Sequence, residues 1–97
     1  MKDQPPTRVA LPARVTVATL REVQAVLGAC EELERGSDGA ILDSTVTTMF
    51  GPMGICLLAA STAERRAAAR STRLVAPAED EAARFLREIQ FDRFVEG

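Results

Sequence analysis

Gly39-Ala40-Ile41-Leu42-Asp43 is an unbroken apolar run closed by a single acid, and the twenty residues that follow it, Ser44 to Ala63, carry no charge at all. A short continuous apolar run predicts a strand covered on both faces, because a half-exposed strand would alternate apolar with polar residues. The run therefore reads as the central strand of a sheet. Downstream, Pro52 suits the first position of a helix, where its missing N–H would have had no partner. Ile55, Leu58, Ala59 and Thr62 then share one helical face, and Glu64, Arg65 and Arg66 close the apolar half of that helix. Cys56 falls in this helical pattern and reads, like Cys30 upstream, as a small core residue.

The flanks alternate in the same way. Upstream, Arg8-Val9-Ala10-Leu11 is a strand candidate stopped by Pro12, which has no N–H to give a sheet ladder. After Arg14-Val15-Thr16 a helix is expected, with Leu20, Val23, Leu27 and Cys30 at three- and four-residue steps and Val26 and Leu33 beside them. Thr16 or Thr19 caps it; Thr19-Leu20-Arg21-Glu22 fits the capping-box pattern, and Gly36 stands where a helix is expected to end. Downstream, Ser71-Thr72-Arg73-Leu74-Val75-Ala76-Pro77 reads as another strand. Glu79, Asp80 and Glu81 open a last helix, placed where the helix dipole favours negative charge, with Ala82, Phe85, Leu86 and Ile89 as its stripe and Phe94 packing beyond. Strand and helix alternate throughout, which implies an α/β domain with a mostly parallel sheet of about four strands and three helices packed on it. Residues 1–7, polar and proline-rich, read as a disordered arm before a single domain over 8–97.

Composition narrows the function. Ninety-seven residues make one domain with one core. Twelve Lys+Arg against 14 Asp+Glu leave a net charge of -2, without the basic excess by which proteins displace counterions from nucleic acid. No nucleic-acid partner is expected. The absence of His and the presence of only two Cys remove the usual general base and leave too few ligands for a zinc site. No catalytic residue, metal site or cofactor is assigned. The uncharged stretch contains hydroxyl residues and a Gly51-Pro52 break, and its mainly apolar part, Met49 to Ala60, falls short of the ~20 residues that span a bilayer. Membrane insertion is not expected. Met1-Lys2-Asp3-Gln4-Pro5-Pro6 places an acid and prolines where a secretory signal has its apolar core, so a cytoplasmic location is expected.

Four pieces of the chain, in order, resemble the STAS domain of anti-sigma factor antagonists and of related transporter- and chemotaxis-associated proteins. They are Leu11-Pro12-Ala13-Arg14-Val15-Thr16 with the helix after it, the strand Ile41-Leu42-Asp43, the helix start Gly54-Ile55-Cys56-Leu57-Leu58, and the strand Arg73-Leu74-Val75-Ala76-Pro77. The resemblance covers roughly residues 8 to 95. It implies a bacterial regulatory module in which an acid, two small or hydroxyl residues and a glycine open the second helix and carry the phosphoacceptor. Counted from Asp43, that signature falls on Gly51-Pro52-Met53-Gly54. Gly54 matches; the acid is replaced by Gly51, and Pro52 and Met53 replace the hydroxyl positions, which makes Met53 a degenerate phosphoacceptor position. A phosphate there would add nearly two negative charges to a docking surface, and this chain has no hydroxyl to carry it.

The loop that remains, Thr48-Met49-Phe50-Gly51-Pro52-Met53-Gly54, is the candidate partner-binding surface. Met49, Phe50 and Met53 either face a partner or fold into the core. Ser44, Thr45, Thr47 and Thr48 form a hydrogen-bonding rim or displaced phosphosite, or else make local backbone bonds at the strand end, the better-favoured reading. Arg65, Arg66 and Arg70 form either a small basic face for an acidic partner or, the better-favoured reading, an ordinary exposed half-helix. The resemblance implies a non-enzymatic interaction module whose partner is an anti-sigma factor or other kinase-type regulator, a chemotaxis-type histidine kinase system, a transporter ATPase, or another copy of itself. The alternative is a small anionic ligand, a nucleotide or lipid headgroup, held at the N-terminus of the second helix.

Overall fold

The strand at Ala40–Asp43 (β3) is the middle of a three-stranded parallel sheet, between Thr7–Ala10 (β1) and Thr72–Val75 (β5). The structure is a computed structural model and describes residues 6–33 and 39–96. Two further residues on each chain segment, Arg14–Val15 (β2) and Met49–Phe50 (β4), pair in parallel as a small second sheet. The helices are Leu20–Leu33 (α1), Pro52–Ala67 (α2), Asp80–Glu88 (α3) and Phe91–Glu96 (α4). Thr7, assigned to the arm, is instead the first residue of β1, its N–H donating to Gly39 O at 2.9 Å; the rest of that arm up to Pro5 lies outside the described residues.

Register explains which side of the sheet is covered. Thr7 pairs with Ala40 and Ala40 with Thr72, and two residues on, Val9 pairs with Leu42 and Leu42 with Leu74. Period-two alternation puts all six on one face, and these residues are buried or half-buried. Leu11, Val15, Val23, Leu42, Leu58 and Leu86 fill the core between this face and the helices. The other face carries Arg8, Ala10, Ile41, Asp43, Arg73 and Val75, all exposed or half-buried. The expectation that β3 is covered on both sides is therefore corrected: the polar residues that leave the second face open, Arg8 and Arg73, lie on its neighbours and not in the apolar run itself. At the start of β3, Gly39 sits at φ 125° with Ser71 against the place of a side chain, so only glycine fits.

Three local differences follow from backbone chemistry. A 3-10 turn, Val17–Thr19, precedes α1, and the capping pair is Thr16 with Thr19, three residues earlier than the Thr19–Glu22 reading: the Thr16 N–H donates to Thr19 Oγ1 at 3.1 Å, and that hydroxyl donates to Arg14 O at 2.7 Å. The last helix breaks at Gln90, which takes a left-handed φ of 58°, so the expected third helix becomes α3 and α4. After the break Phe91 is buried, whereas Phe94 is 39% exposed, stacked on Phe91 and lying under the Arg66 guanidinium. Ile89 and Phe85, read as core, are partly exposed, and Ala82 and Leu86 alone of that stripe are buried. Gly36 lies outside the described residues.

Candidate functional site

The C-terminal ends of β1 and β3 lead into β2 and β4, and both then turn into helices. The uncharged loop is fixed there by backbone and hydroxyl bonds. The Thr48 N–H donates to Ala13 O at 2.8 Å, the Gly51 N–H to Val15 O at 2.8 Å, and Thr47 Oγ1 to Pro12 O at 2.8 Å. Ser44 is fully buried and its hydroxyl donates to Val75 O. Ser44 and Thr47 thus tie β3 to the chain on either side of it by bonds 31 and 35 residues away in sequence, and not by the local backbone bonds read from the sequence. Thr45 and Thr48 are exposed.

Within the candidate loop, burial separates the side chains cleanly. Phe50 is buried at 9% exposure and belongs to the core, while Met49 and Met53 stand out at 49% and 53%. The pairing of β2 with β4 aims Phe50 inward beside Val15 and puts Met49 opposite Arg14 on the outside. Gly51, half-buried, is the N-cap residue of α2, with φ -97° and ψ 167°, and offers no side-chain cap; exposed Pro52 starts the helix as its missing donor predicts. Met53 follows on the exposed first turn. Gly54 is buried directly against Val15, where a Cβ would lie 2.6 Å from Val15 C and 2.7 Å from its Cγ1. Its glycine is therefore required by helix–strand packing, whatever happens at the other three positions.

No protein-family model, curated protein or solved structure matches the chain.

Two exposed valines extend the surface beyond the loop. Val17, at 66% exposure, follows Thr16, against whose Cα and Cβ Gly51 packs, and Val46, at 61%, lies between β3 and β4. Sequence reasoning passed over both, although Val46 stands inside the uncharged run. Together with Met49 and Met53 they give this end of the molecule four exposed, large apolar side chains. Methionine suits such a surface because its unbranched thioether adapts to the shape of what it meets.

Electrostatics enter through Asp43, at the rim. Arg8 Nη2 lies 2.8 Å and Arg8 Nε 3.0 Å from Asp43 Oδ2, while the Thr45 N–H donates to Oδ1 at 2.9 Å and the Thr45 hydroxyl donates to the same oxygen. The Thr45 hydroxyl first, then its N–H, then Arg8, hold the carboxyl down from 3.8 to about 2. A base that weak does not take the Thr45 proton at neutral pH, since general-base work needs a pKa near the working pH. The triad Arg8–Asp43–Thr45 pins the strand end.

Among the described residues, no group of three or more His, Cys, Asp or Glu comes together to hold a metal ion, and no helix is long and apolar enough to cross a membrane. Two further side chains, both on α2, sit differently from their sequence reading. Cys56 is exposed, because on α2 it lies off the face of Gly54, Leu58, Thr62 and Arg65 that meets the core. Arg65 is buried at 5% exposure, not part of an exposed basic face: its Nε donates to Thr72 Oγ1 at 2.8 Å and its Nη2 to Ser71 O at 2.7 Å. The signal was present, since 58, 62 and 65 follow the four-and-three spacing of a buried helical stripe.

Proposed function

We propose that the chain is a non-enzymatic protein-interaction module of a bacterial regulatory system, of STAS type, whose partner-binding surface is the end of the molecule bearing Met49 and Met53. One observation carries the reading: the two methionines that occupy an uncharged strand-to-helix loop project outward, while the aromatic between them, Phe50, goes into the core. A loop that needed only to close the fold would have no cause to hold methionines out of it, and exposed apolar clusters on small proteins mark contact sites. Strand-to-helix loops at the carboxyl ends of parallel strands are also where open α/β sheets meet their ligands. With Met53 at the position that resembles a phosphoacceptor, the surface is permanently neutral, and regulation falls to the partner.

The partner classes implied by the resemblance are a kinase-type anti-sigma factor, a chemotaxis-type histidine kinase and a transporter ATPase, with a second copy of the chain as the remaining one; the cytoplasm is the compartment in which they would meet it. The test is calorimetric titration of purified representatives of each class with the wild-type protein and with Met53→Asp. Binding by the wild type that weakens at least about tenfold in the variant supports the proposal. Equal affinity of the two proteins for every binding representative rejects the surface. Peptide mapping after incubation with a cognate kinase and ATP provides a second check: a phosphate gained on Thr45 or Thr48, the exposed hydroxyl residues beside the loop, contradicts the permanently neutral surface.

The anionic-ligand reading draws on the uncapped N-terminus of α2, where Gly51 supplies no side-chain acceptor. A thermal-shift series with nucleotides and acidic headgroups separates the two readings, because a real ligand site raises the midpoint as ligand concentration rises.

A further inference from the structure

A parallel sheet is ordinarily covered on both faces, yet the three-stranded sheet here turns Arg8, Ala10, Ile41, Asp43, Arg73 and Val75 away from the helices. Register aligns three of them in one row across the strands: Arg8 on β1 is paired with Ile41 on β3, and Ile41 with Arg73 on β5. The half-buried isoleucine is thus flanked by an arginine on either side. With neighbouring strands ~4.8 Å apart, the two arginine Cα atoms stand ~10 Å from each other, which is the diameter of an α-helix with its side chains. In the next row Ala10 and Val75 flank the Asp43 carboxylate, which is already engaged by Arg8 and Thr45. Arg73 is exposed and makes no ion pair among the described residues.

We infer that this open sheet face docks an amphipathic helix of a partner protein, its apolar stripe lying on Ile41 and its flanking carboxylates reaching Arg8 and Arg73. Charge selects this occupant. The chain as a whole has a net charge of -2, but among the described residues of this face Arg8 and Asp43 balance each other and Arg73 is left uncompensated, so its own field favours an acidic partner. A second copy laid face to face would bring arginines into the company of arginines. The surface meets the rim of the methionine-bearing loop at Asp43, but its test turns on Arg73 and that of the loop on Met49 and Met53, so each fails or stands by its own test.

The probe is a synthetic amphipathic helix of about five turns with a leucine stripe flanked by glutamates, compared with a twin in which lysines replace the glutamates. Fluorescence anisotropy gives their affinities and amide chemical shifts map their footprints. The expected result is about tenfold or greater preference for the glutamate peptide, with shifts centred on Arg8, Ile41 and Arg73. Arg73→Gln should weaken that preference and Arg73→Glu reverse it, both with a circular dichroism spectrum matching the wild type, since residue 73 is exposed. Equal binding of the two peptides, shifts confined to the loop around Met49 and Met53, or an unchanged preference in Arg73→Glu overturns the inference. So does a wild-type dimer in sedimentation velocity that Arg73→Glu converts to monomer, because a second copy would then be the occupant.

Discussion

Gly54 on α2 rests against the backbone of Val15 on β2, with no room for a side chain between them: a Cβ at 54 would stand 2.6 Å from Val15 C. The atoms in the way are backbone, held in place by the β2–β4 pairing and by the Gly51 N–H bond to Val15 O. Gly54→Ala therefore has to push the helix off the strand. Overpacking of this kind costs about 1–3 kcal/mol, more than the gain from replacing a helical glycine by alanine. A urea midpoint in the variant at or above that of the wild type would show that the helix seats differently.

Three residues earlier the opposite holds. At Gly51 the nearest atoms to an added Cβ are those of Thr16 at 3.5 Å, an ordinary contact, and the backbone is extended at φ -97°. Aspartate fits there and brings both a side-chain acceptor for the free N–H groups of the first turn and a charge at the favourable end of the helix dipole. Gly51→Asp is expected to raise stability by about 0.5–1 kcal/mol, read from the same urea titration. The contrast between residues 51 and 54 separates a glycine the packing requires from one that is merely present.

Asp43 gives the protein a stability term whose loss is confined to acid. Its carboxyl titrates near 2 in the folded chain, against 3.8 without its partners, because Thr45 and Arg8 favour the charged form. A folded-state pKa below the unfolded one means that the contribution is complete above the unfolded value and lost as pH falls through the folded one. Wild type should accordingly lose stability between about pH 4 and pH 2 more steeply than Asp43→Asn, which has no such carboxylate to protonate. Parallel acid limbs for the two proteins would mean that the Arg8–Asp43–Thr45 cluster does not persist in solution.

The alternation of β1, β3 and β5 with the helices and the central place of β3 were legible because the apolar run at 40–42 and the helical stripes have periods that chemistry constrains tightly, whereas the two-residue strands β2 and β4 are too short to show a period. The open sheet face was not, since it is a property of three strands in register: Ile41 looks the same in the chain whether its neighbours across the sheet are apolar or, as here, Arg8 and Arg73. The candidate loop was legible as a segment but not residue by residue. Whether Phe50 or Met49 turns inward depends on a two-residue pairing with Arg14 and Val15, thirty-five positions away in the chain, and no local pattern encodes it. The break at Gln90 was hidden for a different reason, because a left-handed residue other than glycine leaves no sequence mark.

Arg65 is expected to behave as a structural residue. Its guanidinium spans Thr72 Oγ1 and Ser71 O and so joins the end of α2 to the start of β5. Lysine has the charge but not the planar fork that makes both bonds at once. Arg65→Lys should cost about 1–3 kcal/mol, the range for losing a buried hydrogen bond to a charged group, while Arg84→Lys, at an exposed position on α3, should stay within about 0.5 kcal/mol of wild type. Equal denaturation midpoints for Arg65→Lys and wild type would mean that the α2–β5 junction is held by other contacts.

The proposed docking surface allows a variant in which folding and binding move apart. Met53 is exposed in the first turn of α2, a turn with no acidic residue, so a carboxylate placed there meets the positive end of the helix dipole and should hold or raise the melting temperature, by an interaction of about 0.3–1 kcal/mol. The same carboxylate in an apolar contact would have to be desolvated without a partner, and affinity should fall by at least about tenfold. Met53→Leu keeps the apolar contact and should bind within a few-fold of wild type. Met49→Asp, on the neighbouring strand and equally exposed, should reproduce the loss if the two methionines belong to one surface. A Met53→Asp protein that melts no lower than wild type yet no longer binds places the contact at this turn; one that melts no lower and binds as before removes the turn from the interface, whatever Met49→Asp does.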